Sequence, residues 1–393
     1  MSNSPASRFI IALIFLVTIV MSSFGQSSAP YLNVRDLGAK GDGVTDDTPV
    51  LQNALQQSNG RAVYLPAGKY LVTKTLSYRT TGDQPAFKVF GDGISASIIV
   101  ARLQAGTVFD VDGTGQRNRF EFGGYLHDLT IDGGNSGAAP QPVDGIRIAA
   151  VWMFDIERVR IQNLSGSAIS VPLRTDINRN PDDYATEFMR IQQNDLLNNR
   201  GWGYFGENGL GSGVLILEQN RIQGNAAGGV FTGAHNVRII SNAIAGNGQQ
   251  NSGGLVVDSV LTGSNGLVVE DNEFDSNYDF HIWIKGGDTA RIVQNRFNSW
   301  ETIWKDDQLR PGTHIRLGGA GHAVRDIFIS QNYHRSQHRG SGAKGDHDLK
   351  LYDVLDANVT GTIERPWIPS ADNTPRLSKI SGNATHSVDF KEK

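Results

Sequence analysis

The side chains best suited to chemistry lie in two short runs, Phe280-His281-Ile282-Trp283-Ile284-Lys285 and Thr313-His314-Ile315-Arg316-Leu317-Gly318. Removing a proton beside a carboxylate needs a base and a cation to neutralise the charge that develops. His281 or Lys285 is assigned the base, and Arg316 and His314 the neutralising role, because neighbouring cations depress each other's pKa. Trp283 offers a flat ring for a sugar, with Phe231 and Lys350 as further contacts. Asp258 and Glu207 offer a second chemistry. Stacked two rungs apart, at about 4.8 Å per rung, they would stand about 9.6 Å from each other, near the spacing of an inverting glycosidase pair.

What brings these residues together is a repeat. Asn-x-apolar-x-x-Asn occurs at Asn194 to Asn199, Asn220 to Asn225, Asn242 to Asn247 and Asn272 to Asn277, with partial copies at Asn163, Asn295 and Asn332. A short strand of period-two apolar residues precedes each first asparagine, as in VLILEQN, VRIISN and LVVEDN. Another strand follows about ten residues later, as in GGVFTG, GGLVVD, FHIWIK and THIRLG. The first asparagines are 31, 26, 22, 30, 23 and 37 residues apart, a fixed core with variable insertions. Short connections without crossover helices predict an all-β, single-stranded right-handed parallel β-helix. The asparagine is expected to take the left-handed bend between strands and to stack its amide on the next coil.

Composition agrees. The 46 glycines and 19% charged residues suit short strands and tight turns. A net charge of −4 argues against nucleic acid or an anionic membrane as partner. No cysteine is present, which excludes disulfides, thiol catalysis and cysteine-ligated metals. Arg8 and the apolar run Phe9 to Met21 read as a signal peptide ending near residue 25, so the chain is expected to be secreted or periplasmic. Residues 26–118 would form an N-terminal cap and first coils, with Thr48 as N-cap and Pro49 opening a capping helix. Residues 119–366 would form the β-helix, and 367–393 a tail. Insertions at 172–188 and 299–313 would wall a cleft.

The run NVRDLGAKGDGVTDDTPVLQNAL (Asn33 to Leu55), followed by AVYLPAGKYLVTKTL (Ala62 to Leu76), resembles the N-terminal signature of the pectate-lyase superfamily. The matching branch holds rhamnogalacturonases, polygalacturonases, uronan epimerases and phage tailspikes. The resemblance implies the β-helix but leaves the reaction open, since the superfamily includes hydrolases, lyases, epimerases and binding proteins. The polygalacturonase motif set has no counterpart, for Lys305-Asp306-Asp307 and Gly321-His322-Ala323 stand outside that company. Tyr278 and Asp279-Phe280-His281 resemble the Asp-x-His element of alginate epimerases, without the usual intervening proline. Many pectate lyases use calcium, which Asp182-Asp183 or Asp306-Asp307 could hold through hard oxygen ligands.

Aligned on the asparagines, Val230, Leu255, Ile282 and Ile315 share one inward position, joined by Tyr204. The residues before and after them are then expected to face outward on one patch that includes His281, His314, Trp283 and Arg316. The reading that follows is a polysaccharide lyase cleaving an acidic, uronate-containing polymer by β-elimination. The alternatives are a glycoside hydrolase using Asp258 and Glu207, and a protein that binds without turnover.

Overall fold

The computed structural model describes residues 30–79, 86–113, 124–134, 140–172, 186–207, 212–249, 251–258, 266–300, 313–318, 324–337, 349–351, 356–364, 377–378 and 385–392. The segment read as a signal peptide, the centres of both long insertions and the two Asp-Asp pairs lie outside them.

Each strand pairs in parallel with the strand one coil further on. His235–Ile240 pairs Leu267–Glu270, Ala243–Ala245 pairs Glu273–Asp275, and Gly228–Thr232 pairs Leu255–Asp258. These three pairings define a first, second and third face around one interior. Alternation drives one side chain in two into that interior, as with Val237, Ile239, Ile244, Leu255 and Val257, each 1% exposed or less. The predicted inward register holds: Tyr204, Val230, Leu255, Ile282 and Ile315 are paired in turn, and Ile169 extends the column by one rung. Burial pushes the Tyr204 phenol above its usual range.

The asparagines form two ladders. Asn194, Asn220, Asn242, Asn272, Asn295 and Asn332 line the bend between first and second faces, and Asn199, Asn225, Asn247 and Asn277 the bend between second and third. The left-handed residue is not the asparagine, as expected from sequence, but the one before it. Gln193, Gln219, Ser241 and Asp271 have φ of 55–56°, and Asn198, Gly224, Gly246 and Ser276 have φ of 50–69°. That residue turns the chain, which aims the next side chain inward, where only an amide can satisfy the backbone groups of two coils. Asn220 Oδ1 accepts from the Asn194 N–H and Nδ2, both at 3.0 Å. Its own Nδ2 donates to Ile191 O at 2.8 Å and Asn242 Oδ1 at 2.9 Å. Asn163 (φ 58°) is itself such a turning residue, level with Asn198, and so is not a ladder member.

The helix forms over Thr48–Gln56, one residue earlier than expected, with Asp47 at the N-cap position. The Asp47 carboxylate does not cap it. It accepts instead from the Lys40 and Gly41 N–H groups at 2.6 and 2.8 Å. Leu51, Ala54 and Leu55 enter the common core. Within the segment read as a tail, Leu377–Ser378 and Thr385–Glu392 pair with Leu349–Leu351 and Asp356–Glu364. Coils therefore continue past residue 366, because stacking needs only alternating strands and not the asparagine.

Candidate functional site

The third face presents a column in which successive rungs carry Asp110, Arg147, Ser170, Phe205, Phe231, Val256, Trp283 and Arg316, with Lys350 at the next register position. Those from Phe205 to Arg316 fall in the register expected from the asparagine spacing.

The histidines are the principal correction. His281 and His314 are 1% and 0% exposed. Their column, one residue before the inward position, follows the bend, and there the side chain points into the corner beside the second ladder. A Cβ added to Gly203, Gly229 or Gly254, the equivalent residues of earlier coils, would lie 2.9–3.2 Å from the Nδ2 of Asn225, Asn247 or Asn277. Where glycine gives way to histidine, the ring fills that corner. His281 Nδ1 lies 3.1 Å from Asn277 Nδ2, and the two imidazoles are 5.1 Å apart, His281 against Phe274 and Phe297 and His314 against Phe297. They lie beside the end of the second ladder, buried from solvent. In the Asp279-Phe280-His281 run, Asp279 pairs with Arg316 while Phe280 and His281 are buried, so the resemblance to an Asp-x-His element does not extend to one shared surface.

The cations do meet. Lys285 Nζ lies 4.8 Å and Arg316 Cζ 4.9 Å from the Trp283 ring centroid, and Arg316 also lies 5.2 Å from that of Phe280. Each has a carboxylate beside it, Asp258 at 3.3 Å from Lys285 and Asp279 at 3.3 Å from Arg316. The indole N–H donates to Gly318 O at 2.8 Å, which locks the ring. Trp283 is thus a post for two cations as well as an aromatic surface. Lys285 is the extra residue of a bulge, since Asp258 pairs with Gly286 and not with Lys285. Glu207 is exposed at the end of its strand, two rungs before Asp258. Lys350 holds the rung after Arg316. Phe231, Phe205 and Trp202 form a half-exposed ring cluster with centroids 5.2–6.3 Å apart.

Sequence reasoning missed the pairing of Asp279 with Arg316 and the start of the same face. There Arg79 binds Asp110 and Asp112 at 3.0 and 2.7 Å, and Arg147 binds Asp110 at 2.6 Å. The alternation of Gly145-Ile146-Arg147-Ile148 carried the signal, but no ladder asparagine precedes it to set the register. At the edge of this face burial holds the Asp144 carboxyl above its usual range, against the Ser167 N–H that it accepts at 2.6 Å. A raised folded pKa means that ionised Asp144 weakens the fold at neutral pH, and the penalty fades as pH falls through that pKa. Asp144→Asn is expected to raise the melting temperature at pH 7 and to lose that advantage toward pH 4. An equal gain at both values would contradict the assignment.

Two family models match the chain: a rhamnogalacturonase A/epimerase, pectate lyase-like model over residues 31–120, and a right-handed β-helix region over 144–338. This chain is a pectate lyase-like right-handed β-helix protein. Among curated relatives, mannuronan C5-epimerase AlgE1 of Azotobacter vinelandii is 27% identical over 278 residues, covering 65% of this chain and 17% of the relative. Alginate lyase 7 of the same organism is 27% identical over 201 residues, covering 43% and 22%. This pectate lyase-like chain thus spans about a fifth of the length of those relatives. The A-module of Azotobacter vinelandii mannuronan C-5 epimerase AlgE4 has the same fold, with TM-score 0.61 and 19% identity, over 92% of this chain and 97% of that one. The likenesses extend to carbohydrate-active enzymes of the epimerase, lyase and hydrolase classes.

Proposed function

We infer that the third face binds and cleaves an acidic polysaccharide by β-elimination at a uronate. One observation carries this reading: Lys285 and Arg316 are posted against the same Trp283 ring on adjacent rungs. Two cations held against one ring, Lys285 reaching back toward Phe231 and Arg316 on the rung after, suit the carboxylate of a uronate and the enolate-like charge that grows when its neighbouring proton leaves. With the histidines inside and Lys285 paired to Asp258, we assign the C5 proton to Asp258, while the C4–O bond breaks and the departing oxygen takes a proton from solvent water. Lys285 then neutralises and orients, and Phe231 with Phe205 supports the neighbouring sugars. The relatives' names, mannuronan epimerase and alginate lyase, support a uronate polymer as substrate. The reaction would take place outside the cytoplasm, with residues 1–25 directing export.

The test is incubation with polymannuronate, polyguluronate and polygalacturonate, following unsaturated-uronate absorbance and new reducing ends together. Both should rise. Arg316→Ala is expected to lower kcat/KM about 100-fold. Reducing ends without absorbance would replace elimination by hydrolysis, the reading favoured by Glu207 and Asp258 standing two rungs apart on this face. Silence on all three polymers would leave a binding protein.

A further inference from the structure

The second face changes character along its length. In its early coils the outward side chains satisfy one another. Arg160 and Arg221 bracket Asp195 at 2.8 and 2.9 Å, Gln162 binds Asp132 at 3.0 Å, and Gln193 binds Gln219 at 3.1 Å along the adjoining bend. The coil of Ala243 and Ala245 interrupts that lattice. Beyond it the same columns carry Glu273 and Asp275, then Arg296 and Asn298, then Tyr333, with Gln294 and Gln331 on the bend.

These side chains line a groove of about 600 Å³. Unlike the early coils, they leave most of their hydrogen-bonding capacity unused. Asn298 donates to Glu273 at 3.1 Å and Ser276 to Asp275 at 2.6 Å. Among the described residues no cation lies within 4 Å of either carboxylate, although Glu273 and Arg296 are direct cross-rung neighbours. Burial and the neighbouring Glu273 raise the Asp275 carboxyl, so a ligand that donates hydrogen bonds to it relieves an existing cost.

We propose that this groove is a second carbohydrate site, separate from the third face and selective for neutral sugars. The ligand must bring closely spaced donors and acceptors, because carboxylates, amides, a guanidinium and a phenol lie within one or two rungs of each other. Vicinal hydroxyls do this, and Tyr333 adds a ring edge for a pyranose face. Among the described residues the lining carries two carboxylates against one guanidinium, a balance that disfavours a uronate. The volume suits one or two sugar units. The protein would then hold a mixed or neighbouring neutral glycan on one face while it acts on an acidic chain at another.

The test is calorimetric titration of the full chain with cellotriose, maltotriose, mannotriose and laminaritriose, and separately with calcium chloride and a uronate trimer. At least one neutral trimer should bind. Asp275→Asn and Tyr333→Ala should each weaken it about tenfold or more, Arg316→Ala should leave it unchanged, and melting curves should show each variant folded. Turnover of the acidic polymer should not change in Asp275→Asn, which separates this site from the proposed active face. No binding by any neutral trimer, or affinity untouched by both groove variants, overturns the proposal. Calcium binding that vanishes in Asp275→Asn, without sugar binding, would make it a cation site instead.

Discussion

Asn247→Ala is expected to lower global stability by about 3–5 kcal/mol. The side chain is fully buried, and its amide is engaged on both sides. Oδ1 accepts from the Asn225 N–H and Nδ2, both at 3.0 Å, while Nδ2 donates to Ile222 O at 2.8 Å and Asn277 Oδ1 at 3.0 Å. Alanine removes this and strands two donors on Asn225, a carbonyl on Ile222 and one acceptor position on Asn277, none with access to water. The unmet groups cost more than the bonds themselves contribute. Ser241→Gly, at the left-handed position before the first ladder, should move stability by less than about 0.5 kcal/mol, since glycine accepts that φ freely. Denaturant unfolding of both variants decides the matter. A loss below 1 kcal/mol for Asn247→Ala would sink the view that the amides hold the coils together.

His281→Ala should cost about 3 kcal/mol, with His314→Ala close behind, and neither should lower turnover per folded molecule. His281 is 1% exposed, stands 6.1 Å from Phe274 and 5.9 Å from Phe297 between ring centroids, and leaves Asn277 Nδ2 with Ile244 O alone when removed. Deleting it opens a cavity in a stack that cannot collapse, because Phe274 and Phe297 are anchored in neighbouring coils. Initial rates measured well below the variants' melting temperatures separate stability from chemistry. Wild-type melting with a lost rate would put an imidazole back into the reaction.

The fold was legible because its signal is repeated. Each coil restates strand, asparagine, strand, and an error in one is corrected by the next. The site was legible only in register. The spacing aligned Phe231, Val256, Trp283 and Arg316 correctly, but alternation failed at His281 and His314. Alternation describes a regular strand, and these residues sit where the chain is still leaving a bend. Glycine at the same position in three coils was the available warning, since a column that tolerates no Cβ faces something solid. The asparagine's own role was misplaced by one residue for a related reason. Its type suits a left-handed turn, yet here burial of a doubly bonding amide outweighs backbone preference, and Gln193, Gln219 and Ser241 take the turn at modest cost. The pairing of Asp279 with Arg316 spans 37 residues, and no local pattern announces it.

Ladder neighbours are 22 residues apart at Asn220 and Asn242 but 37 apart at Asn295 and Asn332, while the hydrogen bond between their amides is 2.9 and 3.0 Å. Register is therefore set by contact and is indifferent to contour length. Closing a 37-residue turn in place of a 22-residue one costs about 0.5 kcal/mol of loop entropy. A chain built this way can gain or lose whole loops beside its outer face while the floor beneath stays in step. Substrate preference can then drift through insertions alone, with the scaffold that carries Lys285 and Arg316 left untouched.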